Sequence, residues 1–198
     1  AEKFLFSPFT VLDAKSGEWQ ERKRAWLAIG IKSESGRDAK AYNMGLQATK
    51  ENNWAVVDDK GSGTSIFDPV LCELAYRWFS PPSGQVVDPF AGGSVRGIIA
   101  AQLGLRYWGC DLRAEQIEEN RIQAAEICDG IKPDWVCGDS MDTLSDAPSA
   151  DFVFSCPPYG DLEVYSDDPA DLSNMEWHTF VAAYKRIILR ALGRLKDD

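Results

Sequence analysis

A chain of 198 residues can bury a sizeable core as one domain, so neither a disulfide framework nor a structural metal is needed to explain its folding. Its formal net charge of -10 argues against a nucleic-acid binder that works by broad phosphate neutralisation. The imbalance is uneven, with ten basic and nine acidic residues in 1–60 against eleven and twenty-two in 61–198, so a strand of nucleic acid would be gripped by the amino-terminal part, by a small basic patch or by something outside this chain.

Residues 1–61 read as an extension packing on a core domain of 62–198. Within the extension, 17–29 has a short amphipathic helical stretch, with Trp19, Lys23 and Trp26 close on one side and Arg22 and Ala25 adjoining them. It reads either as a helix packed by its tryptophans on the main domain or as a basic and aromatic edge beside a substrate entrance. Turn residues over 59–65 lead into Ser65-Ile66-Phe67-Asp68-Pro69, where a serine or aspartate caps a helix over 69–79. Its apolar positions Val70, Leu71, Leu74, Ala75 and Trp78 recur at helical spacing, and Ser80-Pro81-Pro82-Ser83-Gly84 stops it.

Strands are then predicted over 85–87, 106–110, 135–137 and 152–154, alternating with helices over 95–103 and 114–128. A last helix covers 175–195, with Phe180, Val181, Tyr184, Ile187, Ile188, Ala191 and Leu195 as its buried stripe. This alternation predicts a three-layer α/β fold with a mostly parallel, helix-covered sheet. No strand follows the last helix, so the sheet reads as incomplete at its C-terminus. The chain then reads as a fragment or as half of a homo- or hetero-oligomeric assembly.

Five cysteines, Cys72, Cys110, Cys128, Cys137 and Cys156, are odd in number and widely spaced, and only one histidine, His178, accompanies them. That is poor material for zinc or disulfides, and most of them read as small buried hydrophobes. No metal is expected. No charge-free run of eighteen apolar residues occurs, and the first residues lack a signal-peptide pattern, so the expectation is a cytoplasmic protein with no membrane contact.

Asp88 closes the first strand, and Gly92-Gly93 lets the backbone turn tightly enough for a ligand to lie against it. The loop lacks the lysine of a phosphate-binding loop and is not G-x-G-x-x-G, so a ligand with an amino-acid end and an adenosine suits it better than a pyrophosphate. Asp111 closes the second strand, where a carboxylate can accept from two ribose hydroxyls, and Asp139 closes the third, where it can accept from the amine of an adenine. Ser155-Cys156-Pro157-Pro158-Tyr159 closes the fourth. Consecutive prolines fix the backbone and have no N–H, leaving carbonyls to accept from an amino group, while Tyr159 offers a ring for stacking on a planar base.

This series resembles the S-adenosylmethionine-dependent nucleic-acid amino methyltransferases, which methylate the exocyclic nitrogen of adenine or cytosine in DNA. The resemblance covers roughly 62–192 and is most specific over Cys156 to Tyr159. It implies a Rossmann-like methyltransferase fold and S-adenosylmethionine as cofactor. The methionine part of the cofactor would lie on Asp88, Pro89, Phe90, Ala91 and Gly92, with Asp111-Leu112 and Asp139-Ser140 at its ribose and adenine. The segment from Thr64 to Pro69, including Ser65 and Phe67, would close over the carboxylate end. Two positions depart from the family pattern. Ser94 stands where a third glycine is usual, and Cys156 stands where an aspartate, asparagine or serine accepts from the target amine. A thiol accepts weakly, which leaves Ser155 or a backbone carbonyl for that work.

The implied activity is methyl transfer to a base flipped from DNA and stacked on Tyr159, with the duplex reached through a missing region or a partner chain. Methylation of RNA or of a protein glutamine by the same pocket, and a non-catalytic S-adenosylmethionine-binding module or subunit, are the other readings. Covalent attack by Cys156 is disfavoured by its place before two prolines. Residues 160–168 read as a mobile lid, with Asp161, Glu163 and Asp167 as solvated acids and Tyr165 available to the flipped base. His178 reads as a solvent-facing or capping residue. The acids of the lid would turn a phosphate backbone toward Arg22, Lys23 and Arg24 or toward a missing domain.

Overall fold

The computed structural model describes residues 12–32, 67–159 and 165–197. Ser16, whose hydroxyl accepts from the Trp19 amide, opens helix α1, Gly17–Ala28. Asp68 opens α2, Pro69–Phe79, by accepting from the Val70 and Leu71 amides, and Pro69 sits in the first turn, where no intrahelical donor is needed.

The inward face of α2 differs from the expected stripe. Val70, Cys72, Glu73, Ala75 and Tyr76 are buried, while Leu71 and Trp78 are 42% and 56% exposed. Glu73 is the physical reason. Its carboxylate accepts from Arg22 Nε and Nη2 at 2.7 and 2.6 Å, from the Trp26 indole at 2.6 Å and from Arg77 Nε at 2.8 Å, a set that requires it to face α1. A paired carboxylate thus takes an interior place that hydrophobic spacing reserves for leucine and tryptophan.

Four strands follow: β1, Gln85–Asp88; β2, Arg106–Asp111; β3, Asp134–Cys137; and β4, Phe152–Val153. They form one parallel sheet in the order β3-β2-β1-β4. Helices α3, Val95–Gln102, and α4, Ala114–Ile127, connect the first three strands and lie with α1 and α2 over one face. There Val86, Tyr107, Ile98, Ile117 and Trp135 share a core. The other face is covered by α5, Ser140–Thr143, and α6, Trp177–Leu192, over Val87, Trp108 and Cys110. Successive strand residues feed opposite cores, as a pleated sheet covered on both sides requires. The architecture is a three-layer α/β domain with a Rossmann-like strand order.

The last helix is shorter than its sequence pattern. A 3-10 turn, Leu172–Asn174, precedes α6, and Phe180, Ile187 and Ala191 are its buried residues, while Val181 is 41% and Leu195 39% exposed. Leu195 instead pairs in parallel with Ala150, whose amide donates to Arg194 O and whose carbonyl accepts from Lys196 N. The chain leaving α6 therefore lies alongside the residues that lead into β4. His178 is exposed, and Glu176 occupies the helix cap. Among the described residues no helix is long and apolar enough to cross a membrane.

Candidate cofactor and substrate site

Asp88 ends β1 fully buried, and both of its oxygens are occupied. Oδ2 accepts from Arg96 Nε at 2.6 Å and the Tyr107 hydroxyl at 2.7 Å; Oδ1 accepts from the Ser155 hydroxyl at 2.5 Å and the Phe90 amide at 3.1 Å. Asp88 therefore shapes the loop after β1 from beneath. Arg96, on α3, completes that shape by donating to the Phe90 and Ala91 carbonyls at 2.6 and 2.9 Å. Burial alone would lower the pKa of this guanidinium, and the adjoining Asp88 carboxylate, with smaller contributions from Tyr107 and Tyr76, more than offsets it, so the pKa lies above its ordinary value. Burial first, and then Asp88, likewise hold the Tyr107 phenol well above its usual range.

The loop itself is set by backbone geometry. Gly92 has φ +51°, its amide donates to Asp111 Oδ2 at 2.9 Å, and its carbonyl accepts from Asn120 Nδ2 at 2.7 Å. Asp111 also accepts from the Arg113 amide at 3.0 Å. Asp139 caps α5 by accepting from the Met141 amide at 2.7 Å. These bonds orient both carboxylates, one at the end of β2 and the other just after β3. Leu112 lies half-buried beside Asp111. Ser140 is buried, and its hydroxyl donates to the Pro89 carbonyl and lies 3.2 Å from Cys110 Sγ; it ties the end of β3 to the loop after β1. Burial raises the Cys110 thiol to about 11.

The parallel pairing of β1 with β4 brings the proline motif beside this loop. Ser155 is the direct link, because its hydroxyl gives its proton to Asp88 and accepts from the Phe90 amide at 3.0 Å. Cys156, Pro157 and Pro158 are half-buried, Tyr159 is 62% exposed, and Cys156 Sγ lies 3.3 Å from the Tyr159 hydroxyl. Phe67 packs edge-on against Phe154 at 5.6 Å, and its ring lies 4.7 Å from the Arg96 guanidinium. Ser65 and the rest of the proposed closing segment, 64–66, lie outside the described residues, as do the 61/62 domain boundary and, in the lid, Gly160, Asp161 and Glu163.

Residues 165–168 of that lid are held by the chain that follows. Tyr165 N donates to Ser173 Oγ, Ser166 Oγ to Asp171 Oδ2, and Asn174 Nδ2 to the Ser166 and Asp168 carbonyls. At the amino-terminal helix, Arg22 pairs with Glu73 and Lys23 with Asp68, so two of the three cations considered for a phosphate contact are engaged by carboxylates at α2. Of the five cysteines, Cys72, Cys110 and Cys128 are buried, Cys156 is half-buried and Cys137 is exposed.

Arg96, Tyr107, Gly109, Asn120 and Gln123 are site-building residues that motif reading passed over. A Cβ at Gly109 would lie 2.7 Å from the Tyr107 hydroxyl, so glycine there lets the phenol lie along β2 to reach Asp88. Ser94, in place of a third glycine, donates to Gln123 Oε1 at 3.1 Å, and Gln123 in turn bonds the amide and carbonyl of Lys32. Ser94 and Gln123 thus join the loop to the segment that leaves α1. Arg96 had one visible signal, a lone charge inside the apolar run of α3.

A surface cavity of about 350 Å³ lies at the opposite edge of the sheet, lined by Gln85, Arg106, Lys132, Asp134 and Asp146 near the amino ends of the strands. Ligands of parallel α/β sheets sit beyond the carboxyl ends, and the glycine loop, the strand-end acids and the proline motif all gather there.

No protein-family model matches the chain, and no curated protein matches it by sequence. Among solved structures it is similar to a TehB-like SAM-dependent methyltransferase from Corynebacterium glutamicum, at 13% identity over 75% of this chain and 82% of that one, with a TM-score of 0.41. It is also similar to a methyltransferase from Geobacter sulfurreducens, at 15% identity over 84% of this chain and 72% of that one, with a TM-score of 0.38.

Proposed function

We propose that the chain is a methyltransferase that moves a methyl group from S-adenosylmethionine to the exocyclic amine of adenine or cytosine in DNA. The observation that carries this reading is the Ser155 hydroxyl bonded to both Asp88 and the Phe90 amide, which makes the glycine loop and the proline motif one rigid unit. The donor set suits the cofactor. The left-handed turn at Gly92 keeps the loop surface free of a side chain, and Asp111 and Asp139 place carboxylates, the acceptor type that ribose hydroxyls and an adenine amine require, at the end of β2 and just after β3.

When bound, the cofactor's sulfonium supplies the methyl group with a good leaving group already in place. The chain then has to align the acceptor nitrogen and exclude water. Pro157 and Pro158 have no amide hydrogen, so the backbone there presents carbonyl acceptors and no competing donor to the amine. The Ser155 hydroxyl, with its proton turned to Asp88, keeps one further lone pair. Tyr159, largely exposed, supplies a ring on which an extruded base can stack.

Labelled S-adenosylmethionine offered with DNA, RNA or protein tests the reading: counts in DNA support it. Transfer only to RNA or to glutamine would reassign the substrate, and cofactor binding without any transfer would leave a binding module. Cys156→Ser should keep or raise transfer, whereas its abolition would mean that the thiol attacks the base.

A further inference from the structure

We propose that the exposed indole of Trp177 is a stacking platform for an unpaired nucleobase flanking the target, a site that rests on the methyl-transfer reading and deepens it. Trp177 opens α6 and is 66% exposed. β4 runs toward the carboxyl edge of the sheet and α6 returns from it, so Trp177 stands at the same edge as Tyr159 and the glycine loop. Its ring is backed by others. Trp177 stacks on Phe180 at 5.7 Å with 16° between planes, Phe180 on Tyr184 at 5.9 Å and 4°, and Tyr184 on Phe90 at 6.3 Å and 27°. The spacing 177, 180, 184 is the one that aligns side chains along a helix face. A base landing on the outer face of Trp177 would extend a stack that ends in the loop after β1, where Phe90 is fixed by Asp88, Ser155 and Arg96.

Charge identifies the occupant. Residues 177–196 hold Lys185, Arg186, Arg190, Arg194 and Lys196 and no Asp or Glu, within a chain of net charge -10. Lys196 pairs with Asp151 and Arg194 donates to the Ala147 carbonyl, whereas Lys185, Arg186 and Arg190 are exposed and make no ion pair among the described residues. An exposed aromatic on a helix of one positive sign is the pairing that single strands require, a ring for the base and cations for the backbone.

The test is fluorescence anisotropy of labelled single-stranded DNA and RNA of one sequence, titrated without cofactor. Trp177→Ala should weaken binding about tenfold, and Trp177→Phe should restore most of it. Alanine at Lys185, Arg186 and Arg190 together should lower the salt-dependence slope by about 2. The DNA and RNA arms show which strand is preferred. Wild-type affinity in Trp177→Ala, or no binding of either oligonucleotide by the wild type, overturns the proposal. So does loss of a wild-type dimer in Trp177→Ala at constant oligonucleotide affinity, which would give this face to a second copy. Failure of the methyl-transfer reading registers separately, as absent cofactor binding or absent transfer by the wild type.

Discussion

Replacing Arg96 with methionine tests whether one buried ion pair organises the carboxyl edge of the sheet. The Arg96 side chain is 5% exposed and that of Asp88 is fully buried, with Nε and Oδ2 2.6 Å apart. Methionine keeps much of the volume but strands the Asp88 carboxylate with only the Tyr107 and Ser155 hydroxyls and the Phe90 amide, and it leaves the Phe90 and Ala91 carbonyls without their guanidinium donor. Removing one partner of a buried pair costs about 3–5 kcal/mol, and each orphaned carbonyl adds up to about 1–3 kcal/mol where water cannot reach it. A loss of at least about 4 kcal/mol is therefore expected from a domain whose total stability is about 5–15 kcal/mol. The double variant with Asp88→Asn carries no stranded charge and should fall short of the sum of the single losses by about 2 kcal/mol. Urea unfolding followed by tryptophan fluorescence gives all three numbers. A single-variant loss under about 1 kcal/mol, or strict additivity in the double variant, would refute the reasoning.

Burial alone would raise the Glu73 carboxyl, but the bonds from Arg22, Trp26 and Arg77 bring it from 4.5 down to about 2. A depressed carboxyl stabilises the fold above the unfolded value and loses that contribution as pH falls through the folded one. The stability gap between wild type and Glu73→Gln, about 2 kcal/mol near neutrality, should thus narrow from about pH 4.5 toward pH 2, and a gap that stays constant in urea titrations refutes the assignment. Gly109→Ala places a Cβ 2.7 Å from the Tyr107 hydroxyl and 3.0 Å from Ala91 Cβ, and should cost roughly 2 kcal/mol by moving the phenol off Asp88. An unchanged Tm would show that β2 accommodates the methyl group. Gly92→Ala forces a side chain onto φ +51°, costing about 1–2 kcal/mol of stability. On the methyl-transfer reading proposed above, calorimetry should show S-adenosylmethionine affinity down by about tenfold or more, equivalent to about 1.4 kcal/mol. Gly130→Ala, whose Cβ would meet nothing within 4 Å, is the control and should leave that affinity unchanged.

Local chemistry made the elements legible. Asp68-Pro69 starts α2 because a carboxylate caps free amides and proline needs none, and short apolar runs ending at Asp88, Asp111 and Cys137 became parallel strands because both of their faces are covered. The proline motif and the glycine loop could be read for the same reason: glycine and proline impose backbone geometry wherever they stand. What the tertiary structure alone decided is which polar groups meet. Glu73 turns inward because Arg22 and Trp26 arrive from 51 and 47 residues away, and Asp88 is buried because Arg96, Tyr107 and Ser155 converge on it from three separate elements. Periodicity scores a charged residue as surface, since an unpaired charge is costly inside. The partners that reverse this cost lie far apart in the chain, and only the packing of helices on a parallel sheet brings them together.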